Sequence, residues 1–188
     1  KLTCESGLAI AESKYLGNLQ SLKMYRNKIG DDGTKALVES DKLPNLKSLR
    51  LAHNNIGPEG ARFIAESANI GNLTTLGLSE NKLGDEGLKY LAGSKKLNKL
   101  EILDLRKNNI TDEGAVDFSN STNYPNIQKV ELSDNNLTDV GKNALKGFLI
   151  LNLIRKRTKE TDDGMVCDLS NLGIGDLECE FIANHKGF

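Results

Sequence analysis

Few cysteines, no long apolar run and no surplus of one charge limit what this chain of 188 residues can be. Its three cysteines, Cys4, Cys167 and Cys179, are odd in number and lack metal-type pairing, so we expect neither a disulfide framework nor a metal centre. Such cysteine usage fits a reducing compartment, and we expect a cytoplasmic protein. The longest apolar run, Phe148 to Ile154, is broken by Asn152 and is far shorter than the ~20 residues of a membrane helix.

Charge and motif content argue against several functions. The net charge is -1 with 27% charged residues, which gives no reason to expect nucleic acid or an acidic membrane as the main partner. The sequence contains no GxGxxG, P-loop, GxSxG, CxxC or HExxH motif, and its two histidines, His53 and His185, are far apart. We therefore expect a protein that is not an enzyme and needs no cofactor.

One repeated pattern dominates the sequence. Five segments share L-x-x-L-x-L-x-x-N-x-I/L-x-x-x-G, and they begin at Leu19, Leu46, Leu73, Leu100 and Ile127, a constant step of 27 residues. A repeat of this length indicates a solenoid or a similar array, because one unit cannot bury its apolar side without its neighbours.

The pattern divides the chain into a single array. We assign a partial repeat to 1–18, regular repeats to 19–45, 46–72, 73–99 and 100–126, a longer repeat to 127–163 and a degenerate final repeat to 164–188. The longer repeat has 10 extra residues within 148–164, predicted to form an extended helix and then a charged loop. In the final repeat Leu172 replaces the pattern asparagine, and Cys167 falls at a core position, where a buried thiol is expected.

Each unit combines a strand with a helix. Apolar and polar residues alternate around the inner pattern leucines, which predicts parallel strands near 21–24, 48–51, 75–78, 102–105, 129–132 and 166–169 in one curved sheet. The pattern asparagines can satisfy backbone groups that are freed where the chain leaves the strand. The acidic pairs at 85–86 and 112–113 fall at a helix start, so we interpret them as capping groups rather than paired catalytic carboxylates. Thr111 and Thr138 are predicted helix caps.

The 27-residue length and the G-[DP]-[DE]-G sequence at the helix start resemble ribonuclease-inhibitor-like leucine-rich repeats, from Leu2 to about Val140. The resemblance implies an α/β fold: a right-handed β-α solenoid, or horseshoe, with a parallel concave sheet and outer helices. Uniform short repeats of this kind are also similar to those of bacterial and protist proteins, including secreted effectors. A secreted, host-directed effector is therefore the alternative to a cytoplasmic protein.

The variable positions of the repeat form the candidate binding surface. Pattern positions 3, 5, 7 and 8 are predicted to face the concave side or its rim, with basic columns and one aromatic residue first and acidic columns last. The candidate partner-binding residues are Lys23, Tyr25, Arg26, Arg50, His53, Asp104, Arg106 and Glu131. A solvent-exposed sheet face with varied charges is the alternative interpretation. Binding is favoured because concave solenoid faces are common binding surfaces and Tyr and Arg are frequent anchors.

These observations predict a non-enzymatic module that binds a protein partner on the concave face, with neither nucleic acid nor membrane as its partner. The basic columns nearest the N-terminus predict contact with an acidic partner surface. A GTPase-activating role, known in the resembled family from the Ran GTPase activator, and a structural array without a partner are the alternatives. Because both ends fall within repeats and lack a polar cap, we expect a longer polypeptide, or an end covered by a partner or by self-association.

Overall fold

Helices and strands alternate along the chain. The computed structural model describes residues 1–161 and 164–167, with side chains for residues 1–158. Its elements are α1 (Cys4–Ala11), β1 (Ser21–Lys23), α2 (Gly30–Glu39), β2 (Ser48–Arg50), α3 (Pro58–Glu66), β3 (Thr75–Gly77), α4 (Gly84–Gly93), β4 (Ile102–Asp104), α5 (Asp112–Ser119), β5 (Lys129–Glu131), α6 (Asp139–Arg157), β6 (Thr158–Thr161) and β7 (Gly164–Cys167).

Five of the strands form one parallel sheet in the order β1-β2-β3-β4-β5. The register aligns equivalent repeat positions, so that Leu22, Leu49, Leu76, Leu103 and Val130 are successive partners across the sheet. Each strand is joined to the next by a helix, and each helix packs chiefly on the helices before and after it. The predicted β-α solenoid with a parallel sheet and the α/β class are thereby confirmed.

The core lies between the sheet and the helices. Leu49, Leu76 and Leu103, which were predicted to be buried, have no exposed surface. Because strand residues alternate in direction, the flanking residues of each strand lie on the opposite face. That face, which we call the open face, carries the exposed residues of β1 to β5. Lys23 and Arg50 are exposed there, beside the buried leucines.

The predicted sixth parallel strand near 166–169 is wrong. Gly164–Cys167 pairs antiparallel with Thr158–Thr161 in a separate two-stranded sheet. The reason is that α6 runs for 19 residues, whereas α2 to α5 have 8 to 10. After this long helix, β7 pairs with β6, the strand just before it in the chain. The entropic cost of this pairing is low, because the connection that must be closed is short. The predicted extended helix is confirmed, but the charged loop is not, because α6 includes Arg155–Arg157.

Other expectations for this region fall partly outside the described residues. Leu172 and Cys179 lie beyond them, as does the side chain of Cys167. The strand that contains Cys167 is not part of the parallel sheet, so its alignment with the core position of Leu103 is not realised. Within the described part of the chain, no helix combines the length and apolar character that a membrane span requires.

Candidate binding face

The turn after each strand is built by the pattern asparagines. The carbonyl oxygen of the Asn81 side chain accepts hydrogen bonds from the backbone N–H groups of Asn54 at 2.9 Å and Ile56 at 3.0 Å. Its amide group donates to the backbone carbonyls of Leu51 at 3.0 Å and Leu78 at 2.9 Å. Asn135 repeats this arrangement with Asn108, Ile110, Leu105 and Leu132. Asn108 repeats the donor bonds, to Leu78 and Leu105, and accepts from the Leu83 N–H at 3.4 Å. The predicted role of these side chains is confirmed, and it fixes the positions of the strand ends that carry the candidate residues.

Acidic residues link the start of one helix to the start of the next. The Asp85 carboxylate accepts from the Thr111 backbone N–H at 2.8 Å and from the Thr111 hydroxyl at 2.6 Å. Asp112 binds Thr138 in the same way and also accepts from the Gly141 N–H at 3.0 Å. The hydrogen bond from the Thr138 hydroxyl, helped by these backbone donors, lowers the pKa of Asp112 although desolvation opposes the shift. Asp85 and Asp112 lie in the first turn of α4 and α5, as predicted, but they bind the start of the next helix rather than capping their own.

The residue before each pattern asparagine has a left-handed backbone. Its φ is +55° at Arg26, +56° at His53 and Glu80, +53° at Lys107 and +58° at Asp134. Glycine adopts this conformation at little cost, whereas other residues lose about 1–2 kcal/mol. The sequence nevertheless places a charged or titratable side chain at this position in every repeat.

Thr111 and Thr138 cap their helices as predicted, each accepting a hydrogen bond from the backbone N–H two residues ahead.

The open face contains a groove of about 710 Å³. Of the residues selected from the sequence, it brings together Tyr25, Arg26, Arg50, His53, Asp104, Arg106 and Glu131. Lys23 is outside the lining, but it is the register partner of Arg50 on the neighbouring strand and is exposed. The candidate residues therefore share one continuous surface.

The acidic groups of the open face already have partners. The Arg106 guanidinium forms two bonds to the Asp104 carboxylate, at 2.9 and 2.8 Å, and Lys129 lies 2.5 Å from Glu131. Partial burial raises the pKa of Asp104, but the hydrogen bonds and the charge of Arg106 outweigh it and leave the pKa below its usual value. Asp104 raises the pKa of Arg106 further above its usual range. This half of the face is close to neutral.

The basic groups at the other end of the face have no counter-ion among the described residues. Lys23 and Arg50 are direct neighbours across β1 and β2, and like charges in this position destabilise a sheet. Neither they nor Arg26 form an ion pair with any residue within the described ranges. His53 differs, because its Nδ1 atom lies 3.4 Å from Glu80. The available charge of the open face is therefore positive and concentrated on β1 and β2.

Sequence reasoning missed several residues of the groove. Thr75, Gly77, Glu80, Ile102 and Lys129 also line it. Lys129 and Ile102 occupy pattern position 3, which was placed on this face but not searched for candidates. Residues two apart on a strand share a face, so the Lys129–Glu131 pair was detectable from spacing alone.

Reactive and metal-binding side chains were also sought outside the groove. Cys4 is an exposed free thiol at the start of α1, because the first residue of this helix faces solvent. Among the described residues there is no group of three or more His, Cys, Asp or Glu side chains that could hold a metal ion.

The chain resembles known proteins in sequence pattern and in fold. A family model described as Leucine Rich repeat matches residues 18–38, 42–65, 72–92, 96–119 and 125–145, more than half of the chain. No curated protein matches the chain significantly in sequence.

Solved structures with a similar fold include two that cover most of this chain. The tropomodulin C-terminal domain of Caenorhabditis elegans is 15% identical with a TM-score of 0.63, covering 82% of this chain and 95% of that chain. The leiomodin-1 fragment named actin-binding site 2 is 14% identical with a TM-score of 0.64, covering 81% of this chain and 91% of that chain. Identities this low show similarity of fold alone.

Proposed function

The chain belongs to the leucine-rich-repeat family, and from that membership we propose that it is a non-enzymatic interaction module that binds a protein partner on its open face. The observation that carries this proposal is that pattern residues and variable residues have different places in the repeat. The pattern leucines and asparagines are buried between stacked repeats, whereas the variable residues line one groove. Groove-forming solenoid faces are common protein-binding surfaces.

The uncompensated charge of Lys23 and Arg50 supports an acidic partner. Two like charges on adjacent strands repel each other, and no ion pair within the described ranges relieves them. An acidic group of a partner placed between them would remove that repulsion and add attraction. Since these side chains are exposed, the attraction is screened over about 8–10 Å at physiological salt, and binding should weaken as salt rises.

The left-handed residues support the same proposal. Arg26 and His53 hold side chains at positions where glycine would be the least strained residue. Contact of these side chains with a partner would offset the cost of that strain. The leiomodin-1 fragment with a similar fold is named for binding actin, which is consistent with use of this fold for protein binding.

The array proposed from the sequence, residues 1–188 with the divisions given above, provides the scaffold for this function. Within it the regular repeats 19–45 and 46–72 contribute the basic part of the open face, and 100–126 contributes the Asp104–Arg106 pair. The exposed thiol of Cys4 fits a reducing compartment, and we place the protein in the cytoplasm.

The first test locates the contact by photo-crosslinking. A photoreactive phenylalanine analogue replaces Tyr25 in the open face or, as the matched control, Tyr15, which is 83% exposed outside the groove. In a cell lysate we expect a specific covalent adduct from position 25 and none from position 15. Equal adducts from both positions would contradict binding on the open face.

The second arm of this test uses charge. Lys23→Glu/Arg50→Glu should abolish the adduct at position 25, because it reverses the two cations that have no counter-ion among the described residues. Lys89→Glu/Lys95→Glu makes the same change in charge on α4 and just after it, away from the groove, and should leave the adduct intact. This control is better than Lys35→Glu on α2, because the Lys35 ammonium lies 4.9 Å from the centre of the Phe63 ring. Loss of the adduct with the control variant would refute the assignment.

A further inference from the structure

The geometry points to a specificity notch at the centre of the open face, which takes one apolar side chain from an extended acidic peptide segment of the partner. The notch is defined by Ala52, Gly77 and Ile102, all of which line the groove. The inference rests on the proposed function, and it adds the form of the bound segment and the residues that select it.

Gly77 provides the floor of the notch. It occupies the third position of a column whose other members, Lys23, Arg50, Asp104 and Glu131, all have long or charged side chains. Its backbone is not in the left-handed region, so the conformation does not require glycine. A Cβ atom at Gly77 would lie 3.3 Å from Cγ of Arg50. Gly77 is buried, because the aliphatic part of Arg50 lies against it, so the missing side chain lets Arg50 form one apolar side of the notch.

Ile102 provides an apolar wall. It is 37% exposed, although its column is otherwise polar, with Ser21, Ser48, Thr75 and Lys129 at the same position of the other strands. Thr75, its register partner, shows that a polar β-branched residue is accepted at this position of the sheet. The exposed isoleucine and the aliphatic part of Arg50 over Gly77 form a small apolar surface within a charged face.

The charges on either side set the direction of the bound segment. Strands lie about 4.8 Å apart, so Lys23 is about 10 Å from the Gly77 row, which an extended peptide covers in about three residues. Acidic residues of the segment would therefore face Lys23 and Arg50, two to three positions from the apolar residue. On the other side of the notch, Asp104 and Glu131 already have cationic partners and offer no attraction to further acidic groups. A long uniform polyanion such as a nucleic acid would meet these carboxylates, which favours a peptide.

The test uses peptides as probes, since recognition of a short segment is what is inferred. A random 12-residue peptide library on phage is selected in parallel on the unmodified chain, on Gly77→Leu and on Lys23→Glu/Arg50→Glu. From the unmodified chain we expect peptides with at least two acidic residues and an aliphatic or aromatic residue two to three positions away. Selection on Gly77→Leu should lose the apolar residue and keep the acidic residue that faces Lys23, because the leucine meets Arg50 and Lys23 lies two strands away. If the peptides from the unmodified chain lack this spacing, the notch inference is overturned.

Affinity measurements then separate the notch from the charged surface. By fluorescence anisotropy of the consensus peptide, Gly77→Leu and Ile102→Thr should each raise Kd roughly tenfold, since burial of one apolar side chain is lost. Replacing the apolar residue of the peptide by serine should weaken binding to the unmodified chain but hardly affect binding to Gly77→Leu. Gly77→Ala serves as a second variant if Gly77→Leu unfolds, and it should give a smaller loss in the same direction.

The outcomes distinguish the two proposals. If Lys23→Glu/Arg50→Glu abolishes peptide binding but neither Gly77→Leu nor Ile102→Thr alters it, the open face binds and the notch inference is wrong. If the peptide binds all of these variants as it binds the unmodified chain, its site lies elsewhere, and the proposed function falls as well. If single-stranded oligonucleotide displaces the peptide at equal concentration, recognition is of charge alone, which overturns the notch inference.

Discussion

Single side chains connect each repeat to the one before it, and Asn81 shows how. Its exposed fraction is 5%, and both ends of its amide bind backbone groups of its own and of the preceding turn. A buried donor or acceptor that loses its partner costs more than the bond itself contributes, because the group has also lost its water. The asparagine column is therefore required by the backbone rather than by the surface.

The first prediction follows from these bonds. Asn81→Leu should lower the free energy of unfolding by about 1–3 kcal/mol, because the N–H groups of Asn54 and Ile56 lose their acceptor. Asn27→Leu is the matched control from the same column. Asn27 is half-buried and binds Leu2 and Tyr25 near the end of the sheet, so its replacement should cost less. Urea denaturation of both variants measures the difference, and an equal or larger loss for Asn27→Leu would contradict it.

The sequence predicted this column correctly but did not predict the partners of the acidic residues. Asparagines at a fixed step have one obvious use, since turn amides and turn backbone lie close in sequence. Asp85 and Asp112 were assigned to their own helices because dipole arguments concern one helix. Their actual partners, Thr111 and Thr138, lie 26 residues ahead and are brought close only by stacking. Such contacts follow from the solenoid and not from the local sequence.

Neighbouring helices approach each other closely where these aspartates lie. A Cβ atom at Gly114 of α5 would come within 2.3 Å of the Asp85 Oδ1 atom of α4, and one at Gly60 of α3 within 2.5 Å of Asp31. At Gly87 of α4 the preceding repeat has Pro58 instead of the aspartate, and a Cβ atom would meet Leu83 at 3.0 Å, Ala61 at 3.3 Å and Pro58 at 3.4 Å, which is less severe. At Gly60 and Gly114 the carboxylate of the preceding repeat therefore leaves no room for a side chain.

The second prediction is a coupling between these two helices. Gly114→Ala should destabilise by about 1–2 kcal/mol, because the gain of about 1 kcal/mol in helix propensity is outweighed by displacement of the Asp85 carboxylate from Thr111. In an Asp85→Ala background the same change should be neutral or stabilising. A double-mutant cycle by thermal denaturation measures the coupling, with Gly87→Ala as a control that should be less harmful than Gly114→Ala. Additive effects of Gly114→Ala and Asp85→Ala on stability would exclude this coupling between α4 and α5.

Strand and helix prediction succeeded where the repeat is regular and failed where it is not. The five parallel strands follow from the constant step, since each repeat places equivalent residues side by side. The hairpin of Thr158–Thr161 with Gly164–Cys167 does not, because ten additional residues changed which strand lay nearest. On the open face, most of the candidate residues line one groove, but Gly77 and Ile102 were not chosen because the search favoured charge and aromatic rings. Their significance depends on the groove, which only the stacked strands form.

In the array as a whole, the stability of each repeat depends on contacts with the adjacent repeats. Each strand of the parallel sheet is bonded to the strands of adjacent repeats, and each helix packs chiefly on the adjacent helices. In such a molecule, stability is approximately the sum of the contributions of single repeats and of the interfaces between them. The groove extends from Tyr25 and Arg26, just after β1, to β5, so a disturbance in its middle also affects its basic part and its ion-paired part.

The third prediction tests this at β3, the middle strand of the parallel sheet. Leu76 has no exposed surface and lies between Leu49 and Leu103 in the register, so Leu76→Ala should leave a cavity and cost roughly 2–5 kcal/mol. Hydrogen exchange should accelerate most in β3 and also in β2 and β4, because both lose packing against the altered repeat, with smaller effects in β1 and β5.

Leu22→Ala is the control. Leu22 is half-buried in the first strand of the sheet, so this variant should cost less and accelerate exchange mainly in β1 and β2. An unchanged melting temperature for Leu76→Ala would contradict the burial argument. Uniform acceleration across β1 to β5 would contradict nearest-neighbour coupling and would mean that the array unfolds as one cooperative unit.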